Sequence, residues 1–350
     1  LFPARKEADM KNDSGSKVVV VTGASAGVGR ATVRAFARRG CSVGLIARGT
    51  EGLEAAASEV RREGVQAVAV AADVADADAV ERAADQIERE LGPIDVWVNV
   101  AMTTVYAPVA EITPAEYKRA TEVTYLGYVY GAMAALRRMR PRNRGTIVQV
   151  GSALSYRAIP LQAPYCGAKF AIRGFTDALR SELLHDRSGI HITMVQMPAL
   201  NTPQFNWGRN KLPMRPQPAP PIFQPEVAAD AIVFASTARM REVWVGASAF
   251  KAILANKIAP WLLDRYLARF GYQSQMSAEP ASKDAPDNLF KPIEGDFGAH
   301  GRFDAQALPS TDMRSPALPR WFATGGAIIG LFYLMRTLLK GQSRAAPRLP

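Results

Sequence analysis

Three side chains in this sequence are spaced for proton transfer. Tyr165 and Lys169 are four residues apart in Tyr165-Cys166-Gly167-Ala168-Lys169, one helical turn, so on a helix they share a face. A lysine ammonium placed there favours the phenolate of a tyrosine whose ordinary pKa is about 10. Ser152, thirteen positions earlier, carries a hydroxyl suited to holding a carbonyl oxygen beside the phenol. The trio fits general acid–base chemistry on an alcohol or a carbonyl. The same tyrosine also reads as a core aromatic whose hydroxyl finds one partner, and Tyr-x-x-x-Lys arises often by chance. The elements around it have to decide.

Those elements begin at Val18-Val19-Val20-Val21, an all-β-branched run expected as a strand buried on both faces of a parallel sheet. It runs into Thr22-Gly23-Ala24-Ser25-Ala26-Gly27-Val28-Gly29 and then a helical pattern through Arg39. Strand, glycine turn and helix bring a helix N-terminus to where backbone N–H groups cradle a pyrophosphate. Further strands are expected at Ser42–Ala47, Gln66–Ala71, Asp95–Asn99, Thr146–Val150, His191–Val195 and Glu242–Val245. Helical stretches fall between them at Gly52–Glu63, Ala77–Leu91, Ala115–Met139, Tyr165–His185 and Pro225–Ser236. The alternation predicts βαβ units: an α/β, doubly wound Rossmann-type parallel sheet of seven strands with helices on both faces. Ligands then sit at the carboxyl ends of the strands, where Gly23, Asn99 and Ser152 fall.

In that order the landmarks Thr22-Gly23-x-x-x-Gly27-x-Gly29, Asp73-Val74, Asn99-x-Ala101, Ser152 and Tyr165-x-x-x-Lys169 make residues of roughly 15–250 resemble the short-chain dehydrogenase/reductase family in its single-domain form. The resemblance implies a nicotinamide-dependent oxidoreductase acting on an alcohol/carbonyl pair. It implies that Tyr165 is the general acid/base, that Ser152 orients the substrate oxygen, and that Lys169 lowers the phenol's pKa and holds ribose hydroxyls. It gives the glycine turn (Gly23, Ser25, Ala26, Gly27, Val28, Gly29) to the cofactor, with Asp73 at the adenine amino group and Val74 on its ring. Asn99 and Ala101 lie beside the cofactor, and Pro198 and Thr202 reach its carboxamide end. Self-association through the long helices is implied as well. Two positions depart from the family pattern. Met102 replaces a glycine near the nicotinamide, making that wall bulkier, and Thr124 replaces an asparagine whose backbone carbonyl relays protons through a water. These departures motivate an alternative, a non-catalytic NADP-binding sensor or scaffold on the same fold; intact Ser152, Tyr165 and Lys169 speak against it.

Charge bears on the cofactor. The second strand ends Ile46-Ala47-Arg48 with no acid at its tip, where an NAD site places Asp or Glu on the ribose hydroxyls. Arg48 suits a 2′-phosphate instead, so NADP(H) is expected over NAD(H). The stretch Leu200–Pro225 is too proline-rich for a continuous helix and is read as a semi-rigid lid bearing Phe205, Trp207 and Phe223. With Met102, Leu154, Tyr156 and Met197 it predicts an apolar pocket for a small apolar carbonyl or alcohol substrate.

Beyond the expected catalytic domain, 17–250, residues 251–273 read as one or two helices interrupted by Pro260, lying on the domain or on a membrane surface. Residues 274–319, rich in Pro, Ser, Asp and Gly, read as a flexible linker. Trp321–Met335 is uncharged between Arg320 and Arg336, so 320–340 is read as a C-terminal membrane anchor, with docking on the enzyme body as its alternative. The polar start, 1–16, is expected to be disordered and has no apolar core of a signal peptide. Two cysteines and three histidines, at these spacings, give no disulfide framework and no metal site. The net charge of +11 suits membranes and anionic cofactors. No basic cluster interleaved with stacking aromatics points to nucleic acid. The chain is expected on the cytoplasmic side of a membrane.

Overall fold

The computed structural model describes residues 16–314, Lys283 excepted. The segment expected as a membrane anchor and the N-terminal stretch expected as disordered, apart from Ser16, lie outside the described residues. Eight strands form the central sheet: β1 (Val18–Thr22), β2 (Ser42–Ala47), β3 (Ala67–Ala71), β4 (Ile94–Asn99), β5 (Gly145–Ser152), β6 (Ile190–Met197), β7 (Glu242–Val245) and β8 (Met313–Arg314). Their order is β3-β2-β1-β4-β5-β6-β7-β8. All neighbours pair in parallel except β7 with β8, which is antiparallel. The expected seven-stranded Rossmann-type sheet is therefore present, with one short edge strand added.

The helices are α1 (Gly27–Ala37), α2 (Thr50–Arg62), α3 (Ala77–Leu91), α4 (Pro114–Thr121), α5 (Gly127–Met139), α6 (Ala163–His185), the single turn α7 (Gln204–Trp207), α8 (Pro225–Thr237), α9 (Gly246–Ile258) and α10 (Pro260–Phe270). β1 shows why the sheet is covered twice. Successive side chains of a strand point to opposite faces. Val19 and Val21 join the core under α1, α2 and α8, whereas Val18 and Val20 join the core under α3, α5 and α6. Each is at most 3% exposed, and each such burial stabilises by about 1.5–3 kcal/mol. Strand order reverses between β1 and β4, and in open α/β sheets that switch point opens a crevice at the carboxyl ends.

Two expectations about the elements are corrected. The helix expected over Ala115–Met139 is broken by a π-helical turn, Glu122–Leu126. Within it the Thr124 hydroxyl accepts from the Thr103 N–H at 3.0 Å and donates to the Thr103 carbonyl at 2.8 Å. Gly127 sits so close to Val74 that a Cβ there would lie 2.7 Å from its methyl carbon. The described part of the stretch expected as a flexible linker is folded onto the domain. Met276–Pro280 pairs antiparallel with Met214–Pro216, and β8 closes the sheet edge. Leu289, Ala299 and Phe303 are buried. Small apolar anchors far apart in the chain hold this segment down, and they leave no periodic signature.

Candidate active site

The floor of the crevice is the turn between β1 and α1. Gly23 has φ +71°, and a Cβ on it would lie 2.7 Å from the Ala101 Cα; one on Gly29 would lie 2.0 Å from the Gly23 carbonyl oxygen. Only glycine permits that closeness. The Thr22 hydroxyl accepts from the Val100 and Ala101 N–H groups at 3.1 and 3.3 Å, tying the turn to the end of β4. Helix α1 follows Ala26, whose methyl gives no side-chain cap, and has no acid in its first turn. Its positive end therefore faces the crevice, the arrangement that receives a dinucleotide's phosphates. This cradle fits a nicotinamide dinucleotide.

Ser152 ends β5, and α6 carries Tyr165 and Lys169 back along the same wall. All three line a cavity of about 510 Å³ that also contains the glycine turn. The Ser152 Oγ accepts from the Leu154 N–H at 3.1 Å. Lys169, 2% exposed, donates from Nζ to the Val150 carbonyl at 2.7 Å and to the Tyr128 hydroxyl at 3.0 Å, and lies 5.4 Å from the centre of the Tyr165 ring. Burial pushes its ammonium down to about 7. Burial also raises the Tyr165 phenol above its ordinary value, with the Ser152 hydroxyl acting in the opposite direction. The net direction for the phenol is set by burial, and two oxygens hold the lysine nitrogen beside it.

At the end of the cavity where the adenosine is expected, Arg48 and Asp73 stand in the wall with Val74. Arg119 forms an ion pair with Asp73. Arg48 donates to the carbonyls of Asn288 and Leu289, and Arg119 donates to that of Leu289 at 3.1 Å. These carbonyls belong to a strap, residues 287–303, laid across the crevice opposite the glycine turn. Gly27 N–H donates to the Gly298 carbonyl at 3.0 Å. Arg30 approaches Asp296 at 3.3 Å while donating to Glu59 at 2.7 Å from beneath the turn. Trp207 meets Phe297 edge-on with ring centres 4.8 Å apart.

Most expected site residues converge here. Gly23, Ser25, Ala26, Gly27, Val28, Gly29, Arg48, Asp73, Val74, Ala101, Met102, Ser152, Leu154, Tyr165, Lys169, Met197, Pro198, Thr202, Phe205 and Trp207 all line the cavity. Three do not. Asn99 is fully buried beneath it, accepting from the Trp97 indole at 2.9 Å and donating to Gln149 at 2.9 Å and the Tyr128 carbonyl at 3.2 Å. Thr124 is sealed against Thr103. Tyr156 is turned away by the 3₁₀ turn Ala153–Ser155, so its hydroxyl donates to Glu242 at 2.7 Å and its ring packs on Trp244. Phe223, expected on the lid, is in the sheet core instead. Sequence reasoning missed Tyr128, which holds Lys169, and the strap residues Asn288, Pro292, Ile293, Gly295 and Phe297 of the cavity wall. The proline and glycine punctuation of the strap was its only signal.

A parallel sheet with a glycine cradle at its switch point defines a dinucleotide-binding α/β protein, and comparison with known proteins narrows the class. Residues 17–211 match the short chain dehydrogenase family. "Uncharacterized oxidoreductase YxnA" of Bacillus subtilis is 30% identical over 288 residues, 82% of this chain and 80% of its own. Human "17-beta-hydroxysteroid dehydrogenase 13" is 36% identical over 167 residues, 48% of this chain and 56% of its own. Among solved structures, a variant actinorhodin polyketide ketoreductase with NADPH is similar at 32% identity and a TM-score of 0.52, over 54% of this chain and 72% of its own. The chain belongs to the short-chain dehydrogenase/reductase family and is an oxidoreductase of that family.

Proposed function

We propose that this chain is an NADP(H)-dependent oxidoreductase interconverting an alcohol and a carbonyl on a small apolar substrate. The observation that carries the reading is that Ser152, Tyr165 and Lys169 share one wall of the cavity that the glycine turn floors. The nicotinamide, when bound, supplies or accepts the hydride. Tyr165 gives its phenolic proton to the carbonyl oxygen in reduction and takes it back in oxidation. A phenol holds its proton at neutral pH; because burial raises its pKa, donation relies on the Ser152 hydrogen bond and the Lys169 charge to stabilise the phenolate. Ser152 holds the substrate oxygen beside it. Lys169 is fixed by Tyr128 and the Val150 carbonyl where it meets ribose hydroxyls and steadies the phenolate left after proton transfer. Arg48, with no acid at the tip of its strand, favours a 2′-phosphate. Met102, Leu154, Met197, Phe205 and Trp207 give the substrate end its apolar character. The reading includes a homo-oligomer at the cytoplasmic side of a membrane, held there through the C-terminal segment.

The test is NADPH oxidation with aldehydes and ketones of graded chain length and ring size. Tyr165→Phe lowers turnover by roughly 10²–10⁴-fold, the usual share of general acid–base catalysis, and leaves NADPH affinity near normal. Turnover retained by the variant sinks the assignment of Tyr165. If NADPH binds and neither carbonyls with NADPH nor alcohols with NADP⁺ turn over, the enzymatic reading gives way.

A further inference from the structure

Helices α9 and α10 carry an outward row of large apolar side chains besides those they turn to the domain. Seven of the fifteen exposed large apolar side chains among the described residues fall between Leu254 and Tyr272. No residue of α10 is buried. Leu262, Tyr266 and Phe270, at i, i+4 and i+8, form one outward stripe. Trp261 stands beside it, and Leu254 and Ile258 of α9 continue it. Inward, α9 buries Ala249 and Ile253 and α10 half-buries Leu263 and Leu267, while Arg157 donates to the exposed Asp264 at 2.6 Å and to the Pro260 carbonyl at 3.4 Å. An ordinary surface helix keeps its large apolar side chains on the core side; α10 carries a second, larger set outward. So large an exposed apolar cluster marks an interaction surface.

Charge selects what covers it. Lys251, Lys257, Arg265 and Arg269 all stand exposed around the stripe, and the single acid of α9–α10, Asp264, is paired with Arg157. A two-fold contact between copies would bring these cations against themselves, because such an interface uses the same patch twice. An anionic bilayer complements them and takes tryptophan and tyrosine at its headgroup level. The same helix reaches the cavity from its inner side, where Ser248, Ala249 and Ala252 form part of the wall.

We propose that the outer face of α9 and α10 docks on an anionic lipid bilayer and sets the mouth of the cavity against it. The docking stands on the surface alone; its use, loading an apolar substrate from the bilayer, rests on the function proposed above. The test uses the full chain with the environment-sensitive dye NBD on Leu262→Cys; the native Cys41 and Cys166 are buried and do not compete. Phosphatidylcholine vesicles with about a third phosphatidylglycerol, by the attraction of basic groups to anionic lipid, blue-shift this label and let lipid-borne quenchers reach it. The same dye on Ser58→Cys of α2 reports neither change. Adding Lys251→Glu and Lys257→Glu weakens the partition of the Leu262→Cys label by roughly tenfold or more, since each cation near the surface contributes. Two results overturn the proposal. One is co-sedimentation with vesicles while the label at 262 stays in water, which assigns the binding to another segment. Alternatively the label becomes shielded without lipid as protein concentration rises, so that a second copy covers the face. Neither result touches NADPH turnover, which is measured on the same preparations and tests the function separately.

Discussion

The two walls of the cofactor crevice are built on different physical terms. The wall from β1, β4, β5 and α6 is made of short-range necessities. A glycine stands where a carbonyl passes 2.0 Å from the site of a Cβ, a tyrosine and a lysine lie one helical turn apart, and a serine ends a buried strand. The facing wall, the strap at 287–303, is made of long-range attachments. Its carbonyls accept from Gly27, Arg48 and Arg119, its Asp296 meets Arg30, and its Phe297 meets Trp207. The first wall is part of the folded core. The second is a cover fastened at separate points, and segments of that kind open locally at lower cost than the core they cover. The first wall should therefore set whether the dinucleotide binds, and the second how fast it comes and goes.

The largest effect expected is on the first wall. Gly29→Ala places a methyl group against the Gly23 carbonyl and displaces the turn, so NADPH affinity falls by roughly a hundredfold or more, some 3 kcal/mol, in a fluorescence titration. Phe297→Ala on the strap leaves the same titration within about tenfold, as expected for loss of one aromatic contact. Equal losses from the two variants would erase the distinction between the walls.

Arg48 touches both walls and so sharpens the comparison. Arg48→Ala removes a charge-assisted partner for a 2′-phosphate, worth about 1.5–3 kcal/mol, and weakens NADPH by roughly tenfold to a hundredfold. It also frees the strap carbonyls of Asn288 and Leu289, but that loss falls on NADH and NADPH alike. The difference between the two cofactors isolates the phosphate contact. An equal fall for both assigns Arg48 to the strap alone and removes the charge argument for NADP(H).

Asp296→Asn should act on rates. It weakens the tie to Arg30, a side chain that stays held by Glu59, itself brought down to about 2 by the hydrogen bonds from Arg30 and Arg34 against the opposing effect of burial. The turn is then undisturbed while the strap is loosened. Stopped-flow release of NADPH should quicken by roughly three- to tenfold, since changes at an established interface fall mostly on dissociation. Unchanged release, with the turn variant behaving as above, would make the strap a static wall.

The same contrast explains what could be read from the sequence. The strands around the crevice were legible because β-branched runs such as Val18–Val21 meet the period-two and burial rules at once. The glycine turn and Tyr165-x-x-x-Lys169 were legible because their geometry is set within one turn of chain. Tyr156 was misread because its direction depends on the 3₁₀ turn that starts at Ser152 and on the distant Glu242. Asn99 was placed at the right strand end, but its amide faces Gln149 and Tyr128 beneath the cavity rather than the cofactor. The strap was read as a linker because Leu289 and Phe303 are buried by partners at Val105, Ala107, Tyr106 and Phe205, remote in sequence. Its Pro and Gly content records only that it is neither helix nor strand. Composition reports a segment's own propensity, and a segment held by other segments has no way to show it.

The smallest effect expected concerns the far end of the strap. His300 sits between Glu226, at 3.0 Å, and Asp304, at 2.9 Å. Burial alone would lower its pKa, but the hydrogen bond and charge of Glu226, with Asp304 behind them, raise it above the ordinary 6.5. A histidine whose folded pKa is raised contributes stability that is fully present below the unfolded value and is lost as pH rises through the folded one. The clasp is therefore tight below about 6.5, the ordinary histidine value, and loosens above its own raised pKa. The imidazole is 40% exposed, so solvent screens the pair and the gain is small. NADPH release should quicken only about twofold across that window, as befits a screened surface pair. His300→Gln keeps a donor beside Glu226 but cannot titrate, so its release rate should be flat over the same range. A pH dependence that survives this substitution would move the titrating group off the strap; the nearest alternative is Lys169, which burial brings to about 7 on the opposite wall.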